Sequence, residues 1–154
     1  MKNYEINEDT MAIIPISYYE TLVKEENREL IIAENAYKIM EESCEYYGST
    51  YKGRIKAAKK ILDCPYKTPV IIEESENIVF FPTKSSTDDN CCWINGNFIK
   101  KLEKIGSKSK IIFNNDEEII VDVSKLSLNN QISRAVRLES ILRKRLISNK
   151  KETK

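Results

Sequence analysis

The sequence predicts an α+β domain in which antiparallel β-hairpins surround an inserted helical pair and a long C-terminal helix closes the fold. Short apolar runs bounded by turn residues, such as 11–14 and 78–81, indicate strands. Apolar residues at three- and four-residue steps over 34–46 and 128–148 indicate helices. A length of 154 residues suits one core. We therefore expect a single domain over the whole chain, with a frayed tail at 149–154.

Residues 4–32 are expected to be extended. Segments 4–6 and 11–14 flank a polar turn, and Pro15 is predicted to end the second of these strands. Segments 21–23 and 30–32 flank a short charged loop. This spacing predicts a second hairpin.

Two helices are expected to follow, with a sharp turn between them. Gly48 stands where a helix C-cap would. Ser49 is predicted to cap a second helix that runs to about Leu62, and Pro65 ends it. The lysines of this helix recur at helical steps and should form one basic face: Lys52, Lys56, Lys59 and Lys60.

The middle of the chain returns to strands. Segments 69–72 and 78–81 are predicted strands, and Pro82 should break the second one. A polar loop is expected at 83–90, and the apolar run 91–94 should be extended again.

The last third is predicted to contain a hairpin and the long helix. Segments 108–113 and 118–123 flank a turn that contains Asn-Asn-Asp. Ser127 is expected to cap the final helix. Its apolar stripe comprises Leu128, Ile132, Ala135, Val136, Leu138, Leu142, Leu146 and Ile147. Glu139 interrupts this stripe, so it either pairs with Arg143 one turn later or marks a partner surface.

Charge is strongly segregated although the net charge is only +1. Residues 1–45 carry 4 basic and 11 acidic groups, whereas 46–70 carry 6 and 1. Residues 71–99 are acidic again, and 100–154 carry 14 basic and 7 acidic groups. Such local fields favour a polyanionic partner. No apolar run is long enough to span a membrane and no signal peptide is recognisable, so we expect a cytoplasmic protein without a membrane partner.

The composition argues against catalysis. The chain has no histidine, which excludes Ser-His and Cys-His constellations, and it has no phosphate-binding Gly-rich loop. Cys44, Cys64, Cys91 and Cys92 lack the spacing of zinc ligands and are expected to be buried free thiols. We therefore predict no catalytic residue, no metal and no cofactor.

Two polar segments carry the functional prediction. Residues 43–54 and 80–87 combine hydroxyls, cations, aromatics and glycines, which is the chemistry of a nucleic-acid surface. Arg54, beside Gly53, is suited to a narrow minor groove, or it belongs to an exposed basic helix. Tyr51 and Trp93 either stack on bases or pack in the core. The predicted DNA-binding residues are Ser49, Thr50, Tyr51, Lys52, Gly53, Arg54, Lys56, Lys59, Lys60, Thr83, Lys84, Ser85, Ser86 and Thr87.

The same segments resemble a known family. Ser43 to Arg54 matches a Ser-Cys-x-x-aromatic-Gly-Ser-(Ser/Thr)-Tyr-x-Gly-Arg signature, and Phe81 to Thr87 matches Phe-Pro-Thr-x-Ser-Ser-Thr. Cys91 to Ile94 and Asn130 to Arg134 match two shorter motifs in the same order. Together they are similar to the competence transcription factor (ComK) family of low-GC Gram-positive bacteria.

The resemblance implies a DNA-binding transcriptional activator of DNA-uptake genes. Members read AT-rich boxes largely through the minor groove, with more than one protomer on the DNA. Expected partners are therefore AT-rich duplex DNA, further copies of the chain held through the C-terminal helix, and RNA polymerase. The alternative is a protein-interaction regulator that has lost DNA binding, motivated by the acidic first 45 residues and by Glu139.

Overall fold

The computed structural model describes residues 3–152, with side chains through residue 148. Nine strands and three helices lie in this part of the chain, in an α+β arrangement with antiparallel pairing throughout. They are β1 (Thr10–Ser17), β2 (Glu20–Glu25), β3 (Glu29–Ile32), α1 (Ala36–Tyr46), α2 (Tyr51–Leu62), β4 (Val70–Glu73), β5 (Ile78–Pro82), β6 (Trp93–Asn95), β7 (Ile99–Ile105), β8 (Lys108–Phe113), β9 (Glu118–Val121) and α3 (Lys125–Glu152). The predicted fold class is confirmed.

The strands form two sheets. The larger has the order β3-β2-β1-β6-β5-β4, and the smaller has the order β7-β8-β9. Strand β6 fills the centre of the large sheet by pairing with β1 on one side and with β5 on the other. The helical pair is thus inserted between the two halves of the large sheet, as the element order predicted.

The large sheet is buried on both faces, because successive residues of its central strands enter different cores. Phe80 and Trp93 pack with α1, whereas Phe81 and Ile94 pack with α2, α3 and the small sheet. This explains why its strands read as continuous apolar runs rather than as alternating patterns. The ends of α2 and the loop after β5 are thereby fixed by two cores.

The N-terminal prediction was wrong in two places. Residues 4–6 form no strand, and Ile6 is instead held by α1, whose Ser43 Oγ accepts from Ile6 N at 3.0 Å. Pro15 does not end β1, which continues to Ser17. Beyond Ile13, β1 pairs with β2 alone, so a proline without an N–H is tolerated on its unpaired side.

Helix starts were also misplaced by one to three residues. The N-cap of α2 is Thr50 and not Ser49, because Ser49 completes the end of α1. The final helix begins at Lys125. Ser124 Oγ accepts from Ser127 N at 3.1 Å, so the helix is capped by Ser124 and not by Ser127 as predicted. Helix α3 runs to Glu152, past the predicted end at 148; residues 153 and 154 of the predicted frayed tail lie outside the described residues.

The hairpin of β8 and β9 is confirmed, but β7 was not predicted. Strand β7 exposes most of its lysines and buries only Leu102, so it shows little apolar signal.

In α3 the predicted stripe is only partly buried: Leu128, Ala135 and Leu138 enter the core, whereas Val136, Leu146 and Ile147 are exposed. Within the described residues, no helix is long and apolar enough to cross a membrane.

Candidate nucleic-acid interface

The junction of α1 and α2 is built by backbone hydrogen bonds around Gly48. Gly48 N donates to Glu45 O at 2.9 Å, and Ser49 N donates to Cys44 O at 3.0 Å. This pair of bonds is a Schellman C-cap, which needs a left-handed residue, and Gly48 has a φ of +88°. The predicted turning role of Gly48 is confirmed.

Gly53 serves the cap of α2. Thr50 Oγ1 accepts from Gly53 N at 3.0 Å, and a Cβ at position 53 would lie 2.9 Å from that oxygen. A β-branched capping residue has little freedom to move away. Glycine at this position therefore has a local structural reason, apart from any contact with DNA.

The second polar segment is a closed loop fixed at its base by Thr83. Thr83 is 2% exposed, its Oγ1 accepts from Cys92 N at 3.0 Å, and its own N donates to Cys92 O at 2.9 Å. Above this base, the hydroxyls of Ser85 and Thr87 lie 3.0 Å apart and remain exposed. Thr83 thus shapes the loop, and Ser85 and Thr87 face solvent.

The structure brings the two polar segments to one surface. Ser86 lies between two clefts: Lys52 of α2 lines one of them, and Lys59 of α2 lines the other. These lysines and Lys56 and Lys60 are exposed, which confirms the predicted basic face of α2. The hydroxyls of the loop and the cations of α2 can therefore contact one ligand together.

One of these clefts continues to the start of α3. Tyr66 and Lys67 line the Lys59 cleft and also a further cleft with Ser127, Asn130 and Arg134. No carboxylate within residues 3–148 lines either of the two. We call this continuous surface the basic furrow, formed by Lys59, Tyr66, Lys67, Ser85, Ser86, Ser127, Asn130 and Arg134.

The Lys52 cleft, in contrast, is acidic. Glu41, Asp88 and Asp89 line it together with Lys52. Three carboxylates against one cation repel phosphate. The basic furrow is therefore the better surface for a polyanion, and Ser86 marks the boundary between the two electrostatic environments.

Arg54 lies away from the furrow. At about 100° per residue, it sits roughly opposite Lys52 and Lys56 around α2. Its guanidinium pairs with the Glu74 carboxylate, its side chain is 18% exposed, and its buried Nε has no hydrogen-bond partner in the described part of the chain. Contact between Arg54 and DNA stays a prediction, and it requires Glu74 to be displaced.

The remaining predicted residues divide by burial. Tyr51 is 5% exposed and packs edge-to-face on Tyr37, so its position favours the core alternative. Ser49 is half-buried. Lys84 is also half-buried, with Nζ 3.5 Å from Asp122 Oδ2. Trp93 is 2% exposed, which likewise favours its packing role.

The cysteine prediction is confirmed. All four thiols are buried and free. Burial raises the pKa of Cys44 and of Cys92 to about 11 and that of Cys91 to about 12. Such thiols stay protonated near neutral pH and are poor nucleophiles. Among residues 3–152, no cluster of three or more metal-ligating side chains occurs.

Five furrow residues were absent from the predicted interface: Tyr66, Lys67, Ser127, Asn130 and Arg134. Sequence reasoning used Pro65 only as a helix terminator and passed over the exposed tyrosine after it. Asn130 and Arg134 had a signal, because they belong to the late motif on which the family resemblance partly rested. Their position beside Tyr66 and Lys67 becomes visible only in the folded chain.

Fold and surface together describe an α+β protein with a basic furrow whose chemistry suits a polyanion. The chain belongs to the ComK family, whose model, described as ComK protein, matches residues 1–147. It is also 25% identical, over 95% of its length and 78% of the relative's, to the competence transcription factor of Bacillus subtilis (strain 168). No solved structure matches the chain. Membership of this family supports a competence-related transcriptional regulator and a non-enzymatic class of protein.

Proposed function

We propose that this protein binds AT-rich duplex DNA and regulates transcription of genes for DNA uptake. The observation that carries the proposal is the meeting of both family motifs at Ser86, beside an exposed row of lysines on α2. Lysine and arginine supply the phosphate term of binding, and hydroxyls fix the register on the backbone. The relative named a competence transcription factor supports the regulatory role.

The predicted residues take two parts in this proposal. Exposed and half-buried residues of the two motifs and of α2 contact phosphate, sugar or the minor groove: Ser49, Lys56, Lys59, Lys60, Lys84, Ser85 and Ser86. Lys52 and Thr87 line the acidic cleft and join these contacts only at its boundary with the furrow, beside Ser86. The others hold these residues in place: Thr50 and Gly53 through the cap, Thr83 through the loop base, and Tyr51 through the core. Arg54 joins the contacts only if DNA displaces Glu74 from it.

Preference for AT-rich DNA follows from the minor groove. A-tracts have a narrow minor groove with enhanced negative potential, which attracts cationic side chains. The exposed face of helix α2 offers lysines rather than the amides and arginines that usually read major-groove edges. We therefore propose backbone and minor-groove contacts, with base-specific readout as a minor part.

Further copies of the chain and RNA polymerase are the proposed protein partners. The exposed apolar residues of α3, Val136, Leu146 and Ile147, offer a protomer contact. Several protomers side by side would add their affinities for a long site. We assign the polymerase contact to the acidic N-terminal third, because the basic furrow is proposed to contact DNA.

A titration of labelled duplexes tests the proposal. Fluorescence anisotropy would follow AT-rich and GC-rich duplexes at about 50 and about 200 mM salt. We expect tighter binding to the AT-rich duplex and a steep loss of affinity with salt at both compositions. No binding at low salt would overturn the proposal, and equal binding to both duplexes would leave only a non-specific binder.

The alternative, a protein-interaction regulator without DNA binding, keeps one supporting observation. The acidic Lys52 cleft offers Glu41, Asp88 and Asp89 beside an exposed Tyr18. Of the two observations that motivated it, the acidic first 45 residues remain, whereas Glu139 pairs with Arg143 one helical turn away. Failure of the titration at low salt would favour this alternative.

A further inference from the structure

Tyr66 is the most exposed tyrosine within the described residues, with 80% of its surface accessible. It follows Pro65 on the turn between α2 and β4. A single exposed aromatic is common on protein surfaces and needs no explanation by itself. Two features set Tyr66 apart, namely how firmly its backbone is held and which side chains surround it.

The turn that carries Tyr66 is fixed at three carbonyl groups. Cys64 Sγ donates to Tyr66 O at 3.2 Å, and Thr68 Oγ1 donates to Cys64 O at 2.9 Å. Gln131 Nε2 donates to Lys67 O at 2.8 Å, and Lys67 itself is left-handed with a φ of +49°. Little backbone entropy remains to be lost when the ring meets a partner.

The surroundings of Tyr66 select a polyanion. It is shared by both clefts of the basic furrow, with Lys59 on one side and Arg134 on the other. Lys67 follows it directly, and no Asp or Glu of residues 3–148 lines either cleft. The furrow therefore presents an aromatic ring between phosphate-binding groups, which complements the stacked bases and charged backbone of a duplex.

We propose that Tyr66 is the wedge of this interface, inserting at a base step of the minor groove while Lys59, Lys67 and Arg134 hold the flanking phosphates. This inference rests on the proposed DNA binding and adds the residue that meets the bases. Minor-groove proteins often insert a side chain between base steps, which unstacks them and bends the duplex. Tyr51 and Trp93 are too buried for this part.

The test compares Tyr66→Ala, Tyr66→Phe and the wild-type protein on an AT-rich duplex with 2-aminopurine at successive adenine positions. Fluorescence of 2-aminopurine rises when the base is unstacked. We expect a rise with wild-type protein and with Tyr66→Phe, and its loss with Tyr66→Ala. Affinity of Tyr66→Ala should fall on the order of tenfold, because stacking between the ring and the unstacked base is lost.

Tyr19→Ala is the matched control, because Tyr19 is 76% exposed on the turn between β1 and β2 and lines neither cleft of the furrow. It should change neither the fluorescence nor the affinity. The salt dependence of Tyr66→Ala should equal that of the wild type, since no charge is removed. Because the Tyr66 side chain is exposed, both variants should unfold at the wild-type temperature.

The two proposals fail differently. If the wild-type protein binds the duplex and folded Tyr66→Ala gives the same affinity and the same fluorescence, the wedge is overturned and DNA binding stands. If Tyr66→Ala loses affinity while wild-type protein never unstacks a base, insertion is overturned. If the wild-type protein does not bind duplex DNA at low salt, both proposals fall.

Discussion

The side-chain amide of Gln131 donates to the carbonyl oxygen of Lys67 at 2.8 Å and so ties helix α3 to the turn that carries Tyr66. The same Nε2 donates to Pro82 O at 2.7 Å, at the entry of the Thr83 loop. Arg134 Nη1 in turn donates to Gln131 Oε1 at 2.8 Å. One buried amide therefore joins three of the four segments that form the basic furrow, and the fourth is α2 with Lys59.

Replacing Gln131 with Met should destabilise the protein and loosen the furrow. Gln131 is 1% exposed, so its loss leaves two partly or fully buried carbonyl oxygens without a donor. We expect the free energy of unfolding to fall by about 2–4 kcal/mol, measured by urea denaturation. The exposed neighbour Asn130, changed to Ala, should stay within about 0.5 kcal/mol of the wild type. Equal stability of both variants would contradict the bracing role.

Gly53→Ala should fail to stabilise α2, although alanine usually favours a helix over glycine by about 1 kcal/mol. The new Cβ would press on Thr50 Oγ1 and displace the N-cap, which is typically worth about 1 kcal/mol. In a Thr50→Ala background the obstacle is absent, and Gly53→Ala should then be stabilising. Thermal and urea unfolding of the four proteins complete the cycle. Additive effects would show that cap and glycine are independent.

The elements that the sequence predicted well are those with a strong pattern. The continuous apolar runs of β4 and β5, and the periodic stripe of α1, follow from burial on one or two faces. Strand β7 was not predicted, because its register exposes lysines and buries little besides Leu102. Residues 4–6 were misread because Ile6 is buried by α1 and Tyr4 by its own side-chain network rather than by strand pairing.

The sequence indicated the chemistry of the candidate site but not its surface. Both polar segments were proposed from residue types alone, and their contact with DNA stays a prediction. Their meeting at Ser86, and the extension to Lys67 and Arg134, depend on packing between elements distant in sequence. The Glu74 partner of Arg54 lies 20 residues away on another element, so no local pattern indicates it.

Glu74→Gln tests whether Arg54 is a brace or a DNA contact. The substitution removes the carboxylate that holds the guanidinium. For a partly exposed pair we expect a loss of about 0.5–1 kcal/mol in the free energy of unfolding, with duplex affinity within about twofold of wild type. Glu76→Gln removes a nearby exposed charge and is the control for general electrostatics. If Glu74→Gln binds duplex DNA several times more tightly than Glu76→Gln, the released Arg54 contacts DNA.

Acid should weaken the N-terminal region through Glu25. Burial would raise the pKa of Glu25, but hydrogen bonds from Arg28, Tyr4 and Asn7 outweigh it, so the pKa lies below its ordinary value. The ionised form therefore stabilises the fold above the unfolded pKa of about 4.3, and this stabilisation is lost as pH falls through the lower folded value.

The corresponding variant is Glu25→Gln, with the exposed Glu26→Gln as control. Urea midpoints between about pH 3 and about pH 6 should fall less steeply with acid in Glu25→Gln than in the wild type. The control should follow the wild-type slope. Parallel curves for all three proteins would exclude Glu25 from the acid response.

Lys59→Gln should weaken DNA binding to all sequences alike, because Lys59 is exposed in the basic furrow and would meet phosphate rather than a base. Removing one phosphate contact should reduce the slope of log affinity against log salt by about 1. Anisotropy titrations of AT-rich and GC-rich duplexes across several salt concentrations measure this slope. Lys104→Gln, on exposed β7 outside the furrow, removes the same charge and should leave the slope unchanged. If both variants lose affinity equally, the protein binds DNA through its overall charge and the furrow has no special part.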